Sequence, residues 1–123
     1  NWPWQSFYTI RANPIITDFN GDGEKDILVS DVLANVNLLN LEAEQNAGFP
    51  WENEENIFRS TALGDINDDG ANELVFAGRS NRIFALNGSG ETVLDYNCYE
   101  QFLTPLISDL DGDGNNEVIS ISS

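Results

Sequence analysis

Three nine-residue segments concentrate side-chain oxygen at one fixed spacing. They are Asp18-Phe19-Asn20-Gly21-Asp22-Gly23-Glu24-Lys25-Asp26, Asp65-Ile66-Asn67-Asp68-Asp69-Gly70-Ala71-Asn72-Glu73 and Asp109-Leu110-Asp111-Gly112-Asp113-Gly114-Asn115-Asn116-Glu117. Each carries oxygen-bearing side chains at positions 1, 3 and 5, glycine at position 6 and a carboxylate at position 9. Calcium is a hard cation that takes six to eight oxygen ligands at about 2.3–2.6 Å. Alternate residues of a tight turn can aim their oxygens at one centre, and the glycine permits the bend. The spacing therefore predicts three calcium sites. The first would use Asp18, Asn20, Asp22 and Asp26, the second Asp65, Asn67, Asp69 and Glu73, the third Asp109, Asp111, Asp113 and Glu117. Backbone carbonyls at position 7, from Glu24, Ala71 and Asn115, can add one oxygen each, with water completing the shell.

Asp- and Gly-rich stretches are also ordinary turn formers, but three in register make a plain turn a poor account. Three or four carboxylates within nine residues repel by about 1 kcal/mol per close pair even at water-like dielectric, and a divalent ion removes that cost. Magnesium demands a more rigid octahedron and fewer protein ligands. Zinc and copper are disfavoured, because the chain has no histidine and its single cysteine, Cys98, lies outside the loops. The loops also depart from the EF-hand. Position 12 holds Val29, Phe76 and Ser120 where that motif needs Glu, and position 8 holds polar Lys25, Asn72 and Asn116. A strand-like run follows each loop, so a helix pair that opens on calcium is not expected.

The elements that must position these loops repeat with them. Asp18, Asp65 and Asp109 stand 47 and 44 residues apart. Val36, Leu38, Leu39 and Asn40 lie as far past Asp26 as Ile83, Ala85, Leu86 and Asn87 lie past Glu73, and Pro3-Trp4 is matched by Pro50-Trp51. Apolar, β-rich runs flank every loop: Ile15-Ile16, Ile27-Leu28-Val29, Leu74-Val75-Phe76, Val118-Ile119, with later runs at Val36–Leu41, Arg82–Leu86 and Thr92–Tyr96. No stretch keeps a helical period. Asn87-Gly88-Ser89-Gly90 is a hairpin turn signal. About four short strands per repeat of roughly 45 residues is the pattern of a propeller blade.

On these residues the chain resembles the FG-GAP/VCBS repeat family, the integrin-α-like calcium-binding propeller repeats. That resemblance implies an all-β fold of four-stranded antiparallel blades with calcium in the loop between the first two strands. It also implies a secreted or cell-surface setting, and a role in adhesion or ligand binding, or as an accessory part of polysaccharide-active enzymes. The length of 123 residues allows about two and a half repeats, fewer than the four to eight blades that close a propeller. One partial propeller domain over 1–123 is expected, divided near 1–12 (the end of a blade), 13–57, 58–102 and 103–123 (the start of another). The chain opens on Asn1-Trp2-Pro3-Trp4 without Met and reads as a processed product, a piece of something longer, or a subunit that pairs with copies of itself.

Composition narrows the function further. Five Lys+Arg against 21 Asp+Glu give a net charge of −16, which disfavours nucleic acid and anionic membrane surfaces as partners. Twelve of those acids fall in the three loops, so they are better explained by cations than by a solvated face. No apolar run is long enough to insert in a bilayer. Without histidine there is no His-based triad or imidazole base, and no carboxylate pair stands apart from the loops, so no enzyme activity is expected of the chain itself. The expected function is a calcium-stabilised extracellular binding or adhesion module for a protein or glycan ligand. The alternatives are an accessory or catalytic propeller part of a polysaccharide-active enzyme, and a structural filament subunit. Trp2, Trp4 and Trp51 could stack on sugars, but the repeat of Trp4 at Trp51 favours packing. Cys98 reads as a small core residue, Asn87-Gly88-Ser89 fits a glycosylation acceptor, and Glu52, Glu54 and Glu55 form a solvated acidic run.

Overall fold

A computed structural model describes residues 1–33, 35–52, 57–78, 81–97 and 104–121. Cys98, Glu54 and Glu55 lie outside the described residues. The described residues are all-β, with no helix. Among the described residues nine strands form three separate antiparallel sheets, none of them closed. The first sheet is β1 (Ile15–Thr17), β2 (Asp26–Ser30) and β3 (Val36–Leu39). The second is β4 (Ile57–Gly64), β5 (Glu73–Gly78), β6 (Arg82–Leu86) and β7 (Thr92–Asn97). The third is β8 (Leu106–Ser108) and β9 (Glu117–Ile119). Strand order follows chain order in every sheet, as short turns between antiparallel neighbours require.

Side-chain alternation along the strands builds two cores. Leu74, Phe76, Phe84 and Leu86 pack with Leu28, Val36, Leu38 and Phe49 of the first unit. Their neighbours Val75, Ile83 and Ala85 point the other way and pack with Ile107 and Val118 of the third sheet. The period of two thus gives the second sheet two buried faces, which is why β5 and β6 read as continuous apolar runs. Trp51 meets Phe76 and Phe84 edge-on, with ring centroids at 5.3 and 5.8 Å. It packs between the units.

Some backbone pairs of the first sheet have counterparts 47 residues later in the second. Ile10 bridges Asp31 as Ile57 pairs with Gly78, and Leu39 bridges Gln45 as Leu86 pairs with Thr92. The first unit nevertheless lacks the expected fourth strand among the described residues. Residues 45–51 track β3 only at their two ends: Asn46 N donates to Leu38 O at 2.8 Å, and Trp51 exchanges two bonds with Val36. Between these ends Gly48 takes a φ of 84°, which breaks the extended backbone. Four strands are complete only in the second sheet, and three and two form in the others. Residues 1–9 likewise contain no strand.

A turn from the second unit seats on the first. A Cβ on Gly88 would lie 2.2 Å from Phe19 O and 2.8 Å from Asn20 Cα, and one on Gly90 would lie 2.3 Å from Gly48 O. The turn is held by Asn87, whose Oδ1 accepts from Ser89 N, Ser89 Oγ and Glu91 N and whose Nδ2 donates to Glu91. The amide of the acceptor-like triplet is thereby occupied in shaping the turn. Backbone on both sides leaves no room at position 88, so Gly88→Ala is expected to destabilise the chain by about 1–3 kcal/mol. Urea unfolding of the two proteins measures it; an unchanged midpoint would mean the units can separate freely.

Candidate metal-binding loops

The three loops join β1 to β2, β4 to β5 and β8 to β9. They share one hydrogen-bond lattice. The position-6 N–H donates to the position-1 carboxylate: Gly23 to Asp18 at 3.0 Å, Gly70 to Asp65 at 2.9 Å, Gly114 to Asp109 at 3.0 Å. The position-7 N–H donates to the position-5 carboxylate at 2.8 Å in each, from Glu24, Ala71 and Asn115. The position-5 N–H of Asp22, Asp69 and Asp113 donates to position 3 at 3.0, 3.0 and 3.1 Å. Position 6 has φ of 92°, 87° and 98°, and position 4 has φ of 76°, 60° and 79°. Nothing lies within 4 Å of a Cβ built on Gly23, Gly70 or Gly114. Left-handed backbone, not lack of space, explains the position-6 glycine. Position 4 tolerates Asp68 in the second loop, as Asp does in this region.

Position 9 serves a purpose the spacing alone did not show. Asp26, Glu73 and Glu117 accept the N–H of position 2, from Phe19 at 3.0 Å, Ile66 at 2.9 Å and Leu110 at 2.8 Å. These carboxylates tie the loop's entry strand to its exit strand. Asp26 also accepts from Asn20 N at 3.3 Å and Asn46 Nδ2 at 2.6 Å, so both its oxygens are engaged. Asn46 was not legible as part of a loop, because it comes 20 residues later through the fold. Asn116, at position 8 of the third loop, makes a contact the sequence did not show: its Nδ2 donates to Asp65 O at 2.8 Å and links the third loop to the second.

Convergence of carboxylates differs among the loops. Among the described residues, Asp109, Asp111 and Glu117 alone bring three acids together, one oxygen each, within 4.8 Å of one another. In the first two loops the position-3 residue is Asn, and its Nδ2 donates to the position-5 acid at 2.9 Å, Asn20 to Asp22 and Asn67 to Asp69.

Electrostatics set the loops apart further. The Asp22 carboxyl is held below its usual value by the Glu24 N–H and the Asn20 amide. At Asp65 desolvation pushes upward, but N–H bonds from Gly70, Asp68, Asn67 and Asp69 outweigh it and the carboxyl is lowered. Glu73 is raised, chiefly by desolvation, with the charges of Asp69 and Asp65 adding to it against the Ile66 N–H.

Among the described residues, two carboxylate oxygens are buried without a hydrogen-bond partner, Asp18 Oδ1 in the first loop and Glu73 Oε1 in the second. Glu73 is fully buried. An unsatisfied buried acceptor costs about 1–3 kcal/mol, more when charged, and a cation would satisfy it. The donor set is oxygen throughout, so the loops fit a hard divalent ion and not a thiolate or imidazole metal. Neither a protein-family model nor a curated protein matches this chain.

Proposed function

We propose that the chain is a calcium-stapled β-sheet repeat module, built from propeller-like blades, that presents a binding surface outside the cell. The observation carrying it is the same hydrogen-bond lattice in three loops, with orphaned carboxylate oxygens left inside two of them. Calcium would supply the missing partner for those oxygens and relieve the crowded acids, fixing the strand pairs on either side of each loop. The ligands sit in short turns between adjacent strands, so calcium stabilises one arrangement and switches nothing. Adhesion or ligand binding follows as the role from the resemblance of the loops to the integrin-α-like repeats. Native mass spectrometry with and without calcium tests the site count. Three bound ions are expected, and none in millimolar calcium would overturn the proposal.

The third loop is expected to be the tightest site, since it offers four carboxylates where the others offer three and an Asn, and charge count tunes calcium affinity. Asp111→Asn gives the third loop the Asn that the first two carry at position 3. Calorimetry should show its affinity falling to theirs, with no change at the other two; a third loop that binds no more tightly than the others before substitution would refute the ranking.

A further inference from the structure

The outer face of the first sheet, the one turned away from the second unit, departs from the repeat in a way the fold does not require. Asn37 stands opposite Val29 in the strand pair as Phe84 stands opposite Phe76 in the next unit. In that unit the two phenylalanines stack at 5.6 Å and fill the space beneath Trp51. In the first unit the corresponding tryptophan, Trp4, faces a cavity of about 440 Å³. Its size lies within the range of small-molecule sites, about 300–1,000 Å³.

Two polar residues of the lining are buried and held by hydrogen bonds. Asn37 is 6% exposed and Asp31 5%. Gln45 Nε2 donates to Asn37 Oδ1 at 2.6 Å, and Asn37 Nδ2 donates to Val29 O at 3.4 Å. Asp31 accepts from Leu33 N, Asn35 N and Asn35 Nδ2. Burying an amide where the matching position holds phenylalanine costs stability, because its remaining hydrogen-bonding capacity is lost to water. Each carboxamide carries two donors and two acceptor lone pairs, so the pair has capacity beyond these bonds. Trp4, Phe7 and Tyr8 line the same cavity. Phe7 is 99% exposed and Tyr8 48%, a cost in water that a stacked ligand would offset.

Carboxamides and aromatic rings lining one cavity suit a ring with vicinal hydroxyls on its edge and C–H groups on its face. We propose that this cavity binds a neutral saccharide ring, which deepens the binding-module function proposed above. The net charge of −16, with Asp31 and Glu52 lining the cavity itself, sets like charge against uronates and sulfated glycans.

The test is an NMR titration of the whole chain in millimolar calcium with cellohexaose, xylohexaose and mannohexaose, beside oligogalacturonate and choline. At least one neutral oligosaccharide should shift the Trp4 indole and the Asn37 and Gln45 side-chain amides. Asn37→Leu should weaken that binding at least tenfold. Phe7→Ala, on an exposed side chain that holds no core together, should weaken it several-fold with Tm unchanged. Shifts from choline alone would replace the saccharide with a cation against the aromatic rings and overturn the proposal, as would no shift from any neutral sugar, or shifts that persist in both variants. Calcium-dependent melting is read on the same samples, so a failed titration with that dependence intact sinks the saccharide and leaves the calcium module standing.

Discussion

Chelating calcium is expected to lower the melting temperature by at least about 15 °C, or to leave the chain unfolded at room temperature. Each site held at 100 times its dissociation constant adds about 2.7 kcal/mol if only the native state binds. Three such sites supply an amount comparable to the whole stability of an ordinary domain, roughly 5–15 kcal/mol. At this chain length 1 kcal/mol moves Tm by about 3–5 °C. The metal-free loops must also hold twelve acids in three nine-residue turns, and their shared hydrogen-bond lattice consumes backbone donors without neutralising any charge. Calorimetric scans in millimolar calcium and in excess chelator measure the difference. A Tm that does not move would remove calcium from the account of this fold.

Glu73→Gln is expected to stabilise the metal-free chain and to lose most of that advantage, or more, once calcium is added. Without calcium the substitution should stabilise the chain by about 1–3 kcal/mol, because it discharges a fully buried carboxylate whose Oε1 has no partner. With calcium the lost site removes about 2.7 kcal/mol of linkage energy, so the gain seen without calcium should be cancelled or reversed. pH separates the two terms. The Glu73 carboxyl is raised in the folded chain, so between its ordinary and its raised value the folded state holds more protons than the unfolded one. Metal-free stability therefore falls as pH rises through that window and stays lower above it. Asp22 and Asp65, being lowered, contribute stability that is lost as pH falls, so the Glu73 term is read from the difference between wild type and Glu73→Gln. Chemical unfolding of both proteins across pH 4 to 8, with and without calcium, supplies the four curves. A calcium-induced stabilisation as large in Glu73→Gln as in wild type would mean Glu73 is a strand clamp and not a ligand.

Much of the loops' conformation was determined by sequence alone. Positions 1, 3, 5, 6 and 7 bond to one another within a few residues, so their spacing fixes the lattice wherever the segment sits. Strand type was legible from short β-rich apolar runs between turn signals, whereas the face each residue of β5 and β6 buries was not, because a run apolar on both faces carries no alternation. The tertiary structure decided what depends on distant segments. The second oxygen of Asp26 is engaged because Asn46 reaches it from beyond β3. Which loop gathers its acids closely depended on the Asp or Asn at position 3 and the bonds that residue makes, not on the common spacing. The first unit lost a regular fourth strand because Gly48 turns where the turn at 87–91 of the next unit must seat against it. The polar cavity required Trp4, Asn37 and Gln45 to meet across three separate segments. Local hydrogen bonds follow from residue spacing, whereas edges and cavities follow from how one unit's surface fills or fails to fill the next, which no single repeat encodes.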